Sequence, residues 1–341
     1  MHTTTIMKPF NETVLSSRSR LALPIATYPA CNLNGWTPLS ILEDFRQQSR
    51  LAMAMQARYQ SPYYLTAMNL SAEAFAFGAK IVKVGNEVPA IDGSLVATLS
   101  EAQKLVVPDT FGKYGQEMLQ AISEIKIMSS GLPDARIFGS CTGPFSLAAR
   151  LLGCEEALEL TLEEPEIVTV VVEKATQFLI EYIYAIMAHG ARGLIMAEPT
   201  AGLLSPNGLA TFSSPYVRQI AEATCNQDGF SIILHNCGAT LAHLPAILET
   251  GLKAFHFGEP MDIPAALNNV PDDVVICGNL NPTSVFLRLN PTNVGQRTLE
   301  LLEETKEYSN FVISSGCDLP VGVSMQKLDA FHEAVKDFNQ G

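Results

Sequence analysis

Residues 231–240 read SIILHNCGAT, a short apolar run that ends in a histidine and a cysteine. Such runs are typical of parallel strands that are buried on both faces of a sheet. Longer helical segments separate eight runs of this kind, as expected where crossover helices join parallel strands. The eight runs cover residues 21–28, 63–69, 136–141, 193–198, 230–237, 253–259, 274–280 and 311–317. Eight strand-then-helix units predict an α/β fold, a single (β/α)₈ TIM barrel.

Proline and glycine mark the ends of the helical segments between the strands. Pro165 begins a long apolar helix and Gly190 ends it, as expected for a helix that covers the barrel. Residues 99–135 are longer than a simple connection and contain several prolines and glycines, so we predict a helical excursion over one barrel end. Residues 21–341 then form one barrel domain, and residues 1–20 form a mobile or docking extension.

An open doubly wound sheet is the alternative α/β architecture. Its nucleotide-binding members carry clustered glycines after an early strand, in the pattern G-x-G-x-x-G or G-x-x-x-x-G-K-[ST]. Neither pattern occurs in this sequence. Their absence favours the closed barrel and argues against a nucleotide-binding enzyme.

The composition is acidic and rich in apolar residues. With 22 Lys and Arg against 35 Asp and Glu, the formal charge is −13, which argues against a surface that binds nucleic acid or adheres to a membrane. The first twenty residues lack the apolar core of a secretory signal, and charges within residues 167–188 argue against a membrane span. We therefore expect a cytoplasmic protein whose seven cysteines are reduced thiols.

His235, Cys237 and Cys317 are candidate metal ligands. Alternate side chains of a strand share a face, so His235 and Cys237 point together from the end of the fifth predicted strand, and Cys317 ends the eighth. In a closed barrel these strand ends surround one mouth. One imidazole and two thiolates suit Zn²⁺ and leave a fourth position open for catalysis. Cysteine is also often buried as a small hydrophobic residue, so the spacing alone leaves both interpretations open.

Other potentially reactive residues occur at similar positions. Cys141 and Cys277 also end predicted strands, but neither has a histidine or cysteine two residues away, so we expect core residues. His256 lies within the sixth predicted strand, where a hydrogen-bonded interior histidine is the expected role. Glu198 ends an apolar strand, and we expect its carboxylate at the mouth as a fourth metal ligand, a catalytic acid or base, or a substrate contact.

Several islands of sequence together resemble the uroporphyrinogen decarboxylase superfamily, and in particular its corrinoid methyltransferase branch. In order, they read MNLSAEAFAFGAKI followed by VPAI, GSCTGPFSLAARLLG, AEPTAGLLSP, LHNCG, ICGNLNPTSVF and ISSGCDLPVG. The branch includes methylcobamide:coenzyme M methyltransferases. The resemblance implies a (β/α)₈ barrel with zinc bound by His235, Cys237 and Cys317. It also implies that a zinc-activated thiol such as coenzyme M accepts the methyl group of a methyl-Co(III) corrinoid, methylcobamide or methylcobalamin.

The decarboxylase branch of the superfamily differs from this chain at two places. That branch uses an arginine-rich amino-terminal motif and an aspartate in the second strand region to bind a polycarboxylated tetrapyrrole. Here the segment LALPIATYPAC has no arginine, and Asn69 occupies the place of the aspartate. Asn69 therefore becomes a candidate substrate-binding residue of another kind, and decarboxylation is disfavoured. Arg150 is a second candidate, either for an anionic acceptor tail or as a surface charge.

The corrinoid itself is expected to arrive on another protein. The cobalamin-ligating pattern D-x-H-x-x-G is absent around all six histidines. We therefore expect a methyl-corrinoid carrier protein to dock at the carboxyl-end face of the barrel, with the extension and the 99–135 excursion shaping that face. Three alternatives stay open: a methylcorrinoid:tetrahydrofolate methyltransferase, a tetrapyrrole decarboxylase, and a non-enzymatic barrel that binds a corrinoid or tetrapyrrole.

Overall fold

A computed structural model of the chain describes residues 8–132, 134–225 and 229–341. Residues 1–7 of the predicted extension and residue 133 of the predicted excursion lie outside the described residues. The strands are β1 (Tyr63–Leu65), β2 (Ile81–Val82), β3 (Ala90–Ile91), β4 (Arg136–Thr142), β5 (Gly193–Ala197), β6 (Ser231–Asn236), β7 (Ala254–Phe257), β8 (Val275–Leu280) and β9 (Phe311–Ser315).

Helices alternate with these strands along most of the chain. The α-helices are α1 (Phe10–Leu15), α2 (Pro38–Leu42), α3 (Phe45–Tyr59), α4 (Ala72–Ala76), α5 (Leu99–Lys104), α6 (Gly112–Met128), α7 (Pro144–Leu152), α8 (Cys154–Glu163), α9 (Pro165–His189), α10 (Pro206–Phe212), α11 (Ser214–Thr224), α12 (Leu244–Leu248), α13 (Ile263–Asn268), α14 (Pro291–Glu304) and α15 (Met325–Gln340). Shorter 3₁₀ turns cover Tyr28–Leu33, Thr200–Leu203 and Leu241–His243, and a π-helical segment covers Pro282–Leu287.

Seven parallel strands form one curled sheet in the order β1-β4-β5-β6-β7-β8-β9. From β4 onward, each strand pairs with the next strand of this sheet along the chain. Helices join consecutive strands, so all the carboxyl ends lie at one side. The sheet is that of a TIM barrel, which confirms the predicted fold class.

The first predicted strand, residues 21–28, is a correction to the prediction. It forms an isolated parallel bridge between Ala22 and Ile313 of β9 rather than a full strand. Pro24 has no N–H to continue a ladder of hydrogen bonds. The chain then turns into the 3₁₀ helix Tyr28–Leu33. The eighth position of the barrel is therefore occupied by a short segment, while the other seven predicted strands are confirmed.

An apolar cluster fills the interior of the barrel. Its members alternate along the strands and meet in the centre, as in the layered cores of TIM barrels. They include Leu23, Ile25, Tyr63, Phe138, Ile195, Ala197, Ile233, Ala254, Val275, Cys277 and Val312. The interior is thus a packed core up to the level at which the strands reach the mouth.

Helix α1 closes the amino-terminal end of this core. Phe10 is 1% exposed and packs edge-on against Tyr63 and Phe138, with ring centroids 5.6 and 5.9 Å away. Its N–H donates a hydrogen bond to the hydroxyl of Ser231, the first residue of β6. Residues 8–20 of the extension are thus docked opposite the mouth. The expectation that they shape the carboxyl-end face is wrong.

Residues 99–135 also differ from the prediction. Helix α6 packs between α3 and α9 in the outer layer, with an apolar face that includes Leu119, Ile122 and Ile125. At the end of α5, the Lys174 ammonium of α9 donates hydrogen bonds to three carbonyl oxygens. The segment is a crossover between β1 and β4 and does not cover a barrel end. Pro108 lies in the connection before α6, Gly112 begins that helix and Gly115 lies within it, while the apolar face of the helix decides its place.

A β-hairpin, rather than that segment, reaches the mouth. Strands β2 and β3 pair antiparallel, with Ile81 opposite Ile91 and Val82 opposite Ala90. Ala90 and Ile91 line the cavity at the carboxyl ends of the parallel strands. The sequence prediction assigned no element here, because two-residue strands give almost no periodic signal.

The long helix α9 follows the prediction closely. It runs from Pro165 to His189, and Gly190 ends it with a φ of +116°. That left-handed conformation favours glycine. Its apolar side chains pack against the sheet and the neighbouring helices. None of the helices in the described part of the chain has the length and apolarity needed to cross a membrane.

Candidate metal centre

Three side chains with metal-binding atoms meet at the carboxyl ends of β6 and β9. His235 lies on β6, Cys237 follows that strand, and Cys317 lies just beyond β9. Their ligand atoms all lie within 4.8 Å of one another, and the Sγ of Cys317 is 3.4 Å from the Nε2 of His235. Two such ligands on one tetrahedral Zn²⁺ would be roughly 3.6 Å apart. The donor set and its spacing therefore fit a soft divalent metal ion.

Each of the two candidate cysteine ligands shifts the pKa of the other. The hydrogen bond donated by the Cys317 thiol lowers the pKa of Cys237. The same hydrogen bond raises the pKa of Cys317, because the thiol proton is held by the neighbouring sulfur. The interaction therefore favours the thiolate of Cys237, the form of cysteine that binds metal ions.

A chain of buried polar contacts lies behind His235. Its Nδ1 is 2.8 Å from the Nδ1 of His256 on β7, and the two rings meet edge to face. The Nε2 of His256 is 2.8 Å from the hydroxyl of Ser314 on β9. That hydroxyl donates a 2.7 Å hydrogen bond to the backbone carbonyl of Leu23. Burial lowers the pKa of His256 well below its usual value, which favours the neutral ring.

The three candidate ligands line a cavity of about 720 Å³ at the barrel mouth. Its walls are mainly apolar, with contributions from Met68, Ile91 and Pro199. Arg150 of α7 lines the same cavity, and its Nε donates a hydrogen bond to the carbonyl of Leu70. No carboxylate of the described residues forms an ion pair with Arg150. The guanidinium therefore retains donors for an anionic group in the cavity.

Asp318, the residue after Cys317, is a further polar group at the cavity. Burial raises the pKa of Asp318 well above its ordinary value. Its Oδ1 is buried and accepts no hydrogen bond from the part of the chain that the structure describes. Asp318 is not among the candidate site residues predicted from the sequence. Its position beside a cysteine at a strand end was the available signal.

Glycines allow the loops around Cys237 to approach one another. A Cβ atom at Gly258 would lie 2.9 Å from the Cα of Cys237 and would collide with its carbonyl oxygen. The side-chain amide of Asn279 donates hydrogen bonds to the carbonyls of Gly258 and Met261, at 3.0 and 2.7 Å. A Cβ at Gly316 would lie 3.0 Å from the Asn279 carbonyl oxygen. The backbone below the cysteines is therefore close-packed.

Glu198 lies away from the ligand cluster, contrary to the expectation that its carboxylate faces the mouth. Its oxygens accept hydrogen bonds from the N–H groups of Phe145 and Ser146, both at 2.9 Å, and from the Ser146 hydroxyl at 2.6 Å. The Ser213 hydroxyl adds a 3.2 Å hydrogen bond. Burial raises the pKa of Glu198, and these hydrogen bonds oppose the shift. The carboxylate is engaged in holding the start of α7, where unpaired N–H groups favour an anion.

Asn69 also lies outside the mouth cavity. Its side chain lines a small interior space together with Glu73 and Tyr114. Its Oδ1 accepts a hydrogen bond from the Ser71 N–H, and its Nδ2 is buried without a partner among the described residues. Its neighbours Met68 and Leu70 line the mouth cavity instead. The structure therefore brings Arg150, but neither Asn69 nor Glu198, to the cavity of the three candidate ligands.

Cys141 and Cys277 are core residues, as the sequence indicated. They are 3% and 0% exposed, and burial raises the pKa of both thiols. His256 is interior and hydrogen-bonded, also as expected, but its partner is the candidate ligand His235. That pairing cannot be predicted from the sequence alone, because it depends on the register between β6 and β7.

Residues 32–338 match the family described as Uroporphyrinogen decarboxylase (URO-D). The chain belongs to the uroporphyrinogen decarboxylase family. A solved structure, a methyltransferase from Methanosarcina mazei, aligns with a TM-score of 0.84 over 96% of this chain and 97% of that chain, at 18% identity. At this identity the likeness establishes the fold.

Relatives within this family include two kinds of enzyme. The methylated-thiol–coenzyme M methyltransferase of Methanosarcina mazei is 26% identical over 274 residues, which are 79% of this chain and 71% of that protein. The methylcobamide:CoM methyltransferase MtbA of Methanosarcina acetivorans is 28% identical over 276 residues, 79% and 78% of the two chains. The uroporphyrinogen decarboxylase of Shewanella piezotolerans is 25% identical over 251 residues, 71% and 69% of the two chains.

We predict that Gly258→Ala weakens Zn²⁺ or Co²⁺ binding at least tenfold, because the added methyl group displaces the backbone of Cys237. Titration calorimetry with Zn²⁺, or the Co²⁺ absorption spectrum, measures the change. Gly131→Ala is the control, because a Cβ there meets no atom of the described residues within 4 Å. Equal metal affinity of the two variants would contradict the close approach of the two loops.

Proposed function

We propose that this protein is a corrinoid-dependent methyltransferase that uses zinc bound by His235, Cys237 and Cys317. The observation that carries the proposal is the convergence of these three side chains within 4.8 Å at the mouth cavity. The methyltransferases among its relatives support the reaction class. The methyl group would pass from a methyl-Co(III) corrinoid to a small thiol, for which coenzyme M is our candidate.

The site fits a catalytic rather than a purely structural zinc ion. Three protein ligands leave one tetrahedral position, and bound zinc would stabilise the thiolate of an incoming thiol at neutral pH. The ligands are held at the ends of two strands, β6 and β9, so their positions follow from the barrel rather than from one flexible loop. The apolar cavity wall reduces competition from water around the reacting sulfur.

The position of Arg150 supports the proposal that the methyl acceptor carries a negative charge. It lines the cavity of the candidate ligands and forms no ion pair with the described carboxylates, although the buried Glu73 carboxyl interacts with it electrostatically. A guanidinium can bind a sulfonate or carboxylate through two parallel hydrogen bonds. We propose that Arg150 holds the anionic end of the acceptor while the thiol end reaches the metal. This arrangement orients the sulfur toward the open mouth.

A separate carrier protein would present the corrinoid at this mouth. Several exposed apolar side chains lie on segments that follow the strand ends, and such residues favour contact with a protein partner. They are Val82, Val84, Leu203, Leu241 and Leu287. Leu203 is the most exposed of them, at 67%, and it adjoins the cavity residue Pro199 through a 3₁₀ turn.

The central experiment follows methylcobalamin demethylation with coenzyme M and with tetrahydrofolate in parallel, with and without a zinc chelator. We expect demethylation with the thiol, about one zinc per chain, and loss of both in His235→Ala and Cys317→Ala. Cys225→Ala is the control, because this half-buried thiol lies outside the mouth cavity. Activity with tetrahydrofolate alone would favour the folate acceptor. Metal-free decarboxylation of a porphyrinogen would instead refute methyl transfer as the function.

Arg150→Met should raise the KM for an anionic thiol about tenfold or more, because a charged hydrogen bond is lost. The KM for a neutral thiol such as 2-mercaptoethanol should stay the same, since that acceptor has no anionic end. Steady-state kinetics with both thiols makes the comparison. Arg218→Met, which removes an exposed guanidinium on α11, serves as the control. A similar rise in KM for both thiols would refute the assigned role.

Leu203→Asp should raise the KM for a methylated corrinoid protein by roughly tenfold, because a charge replaces an apolar contact. Its kinetics with free methylcobalamin should match those of the unaltered protein. Ile127→Asp is the matched control, since Ile127 is also 67% exposed but lies near the opposite end of the barrel. If both variants behave alike with the carrier protein, the carrier does not dock beside Leu203.

A further inference from the structure

The contacts behind His235 form a continuous path across three strands and the segment that completes the barrel. The path runs from His235 on β6 to His256 on β7, then to Ser314 on β9 and the carbonyl of Leu23. Its three links are 2.8, 2.8 and 2.7 Å long. His256 and Ser314 are both 0% exposed, so water does not compete for these hydrogen bonds.

The end of the path fixes the direction of every hydrogen bond in it. The carbonyl oxygen of Leu23 can only accept, so the Ser314 hydroxyl donates its proton there. The Ser314 oxygen must then accept from the Nε2–H of His256. A neutral His256 with its proton on Nε2 has a lone pair on Nδ1. The Nδ1 of His235 must therefore carry the proton that this lone pair accepts.

We propose that His256 and Ser314 are positioning residues that set the tautomer of His235, so that its Nε2 is the nitrogen that binds the metal. The inference rests on the metal site of the proposed function. The geometry at the other side of the ring agrees with it, since the His235 Nε2 faces the Sγ of Cys317 at 3.4 Å. An imidazole ligand gains basicity and a fixed orientation when its second nitrogen donates to a neighbour.

The opposite arrangement is unfavourable at each end of the path. If the neutral ring of His235 carried its proton on Nε2, that proton would point toward the candidate metal position and exclude an ion. His256 would then have to donate from Nδ1, leaving its Nε2 as an acceptor. Ser314 could donate to that nitrogen only by leaving the Leu23 carbonyl without this hydrogen bond. A buried polar group that loses its hydrogen-bond partner destabilises the folded protein.

The metal-free protein gives the first test, through ¹⁵N chemical shifts of the imidazole nitrogens in the histidine-labelled full-length chain. We expect a protonated Nδ1 on His235 and a protonated Nε2 with an unprotonated Nδ1 on His256. In Ser314→Ala, the His256 shifts should move toward a mixture of tautomers, because the acceptor for its Nε2–H is gone. An unprotonated His235 Nδ1 in the unaltered protein would overturn the inference. This measurement does not depend on whether the protein binds zinc.

Zinc affinity gives the second test. We expect His256→Phe and Ser314→Ala to weaken Zn²⁺ binding by about 10- to 100-fold, the usual effect of removing the partner of a metal-bound histidine. Ser315→Ala is the matched control, because Ser315 is also 0% exposed and its hydroxyl accepts a hydrogen bond from the Ile25 N–H outside the path. Equal affinities of Ser314→Ala and Ser315→Ala would overturn the inference. If the unaltered protein does not bind zinc, the proposed function is refuted instead. The ¹⁵N chemical shifts of the metal-free protein then still test the direction of each hydrogen bond in the path.

Discussion

The register of β6, β7, β8 and β9 is the constraint on which the candidate site depends. Parallel pairing places His235 beside His256 and His256 beside Cys277, while β9 brings Ser314 and the turn to Cys317 to the same end. A slip of one residue would reverse every side chain between the interior and the outer layer. The apolar residues below this level fix the register, because each must remain inside the barrel.

The barrel interior changes character over a short distance along its axis. Ile233 and Ala254 belong to the apolar cluster, and two residues later the same strands carry His235 and His256. A polar layer buried directly above an apolar one must satisfy its own hydrogen bonds. The path that ends at the Leu23 carbonyl does so, and it couples the site to the segment that completes the barrel. The short segment at residues 21–28, which completes the barrel, is therefore part of the support of the site.

Much of this arrangement could be predicted from the sequence. Strongly apolar strands such as 193–198 and 311–317 stand out, and the position of Cys237 and Cys317 at strand ends predicts that both lie at one mouth. The misplaced elements have weak or ambiguous signals. Residues 21–28 look like a strand, but Pro24 limits their pairing, and the short hairpin of β2 and β3 has too few residues to show alternation.

Side-chain direction was the harder part of the prediction. Glu198 ends a strand just as Cys317 does, yet its carboxylate turns to the start of α7, where several N–H and O–H donors converge on it. Asn69 and Arg150 differ in the same way, since Asn69 lines a small interior space while Arg150 lines the cavity at the mouth. Such choices depend on three-dimensional neighbours that strand periodicity does not describe.

The packing of Phe10 against the amino-terminal end of the barrel limits the routes by which molecules can reach the ligand cluster. The amino-terminal end of the barrel is closed and its core is filled. Small molecules therefore reach the ligand cluster through the mouth, which a carrier protein would cover. A protein docked at the mouth would block the entry of small molecules that are not yet bound in the cavity. If a carrier protein docks there as proposed, the acceptor has to bind before it, and the thioether product can leave only after the carrier protein has dissociated.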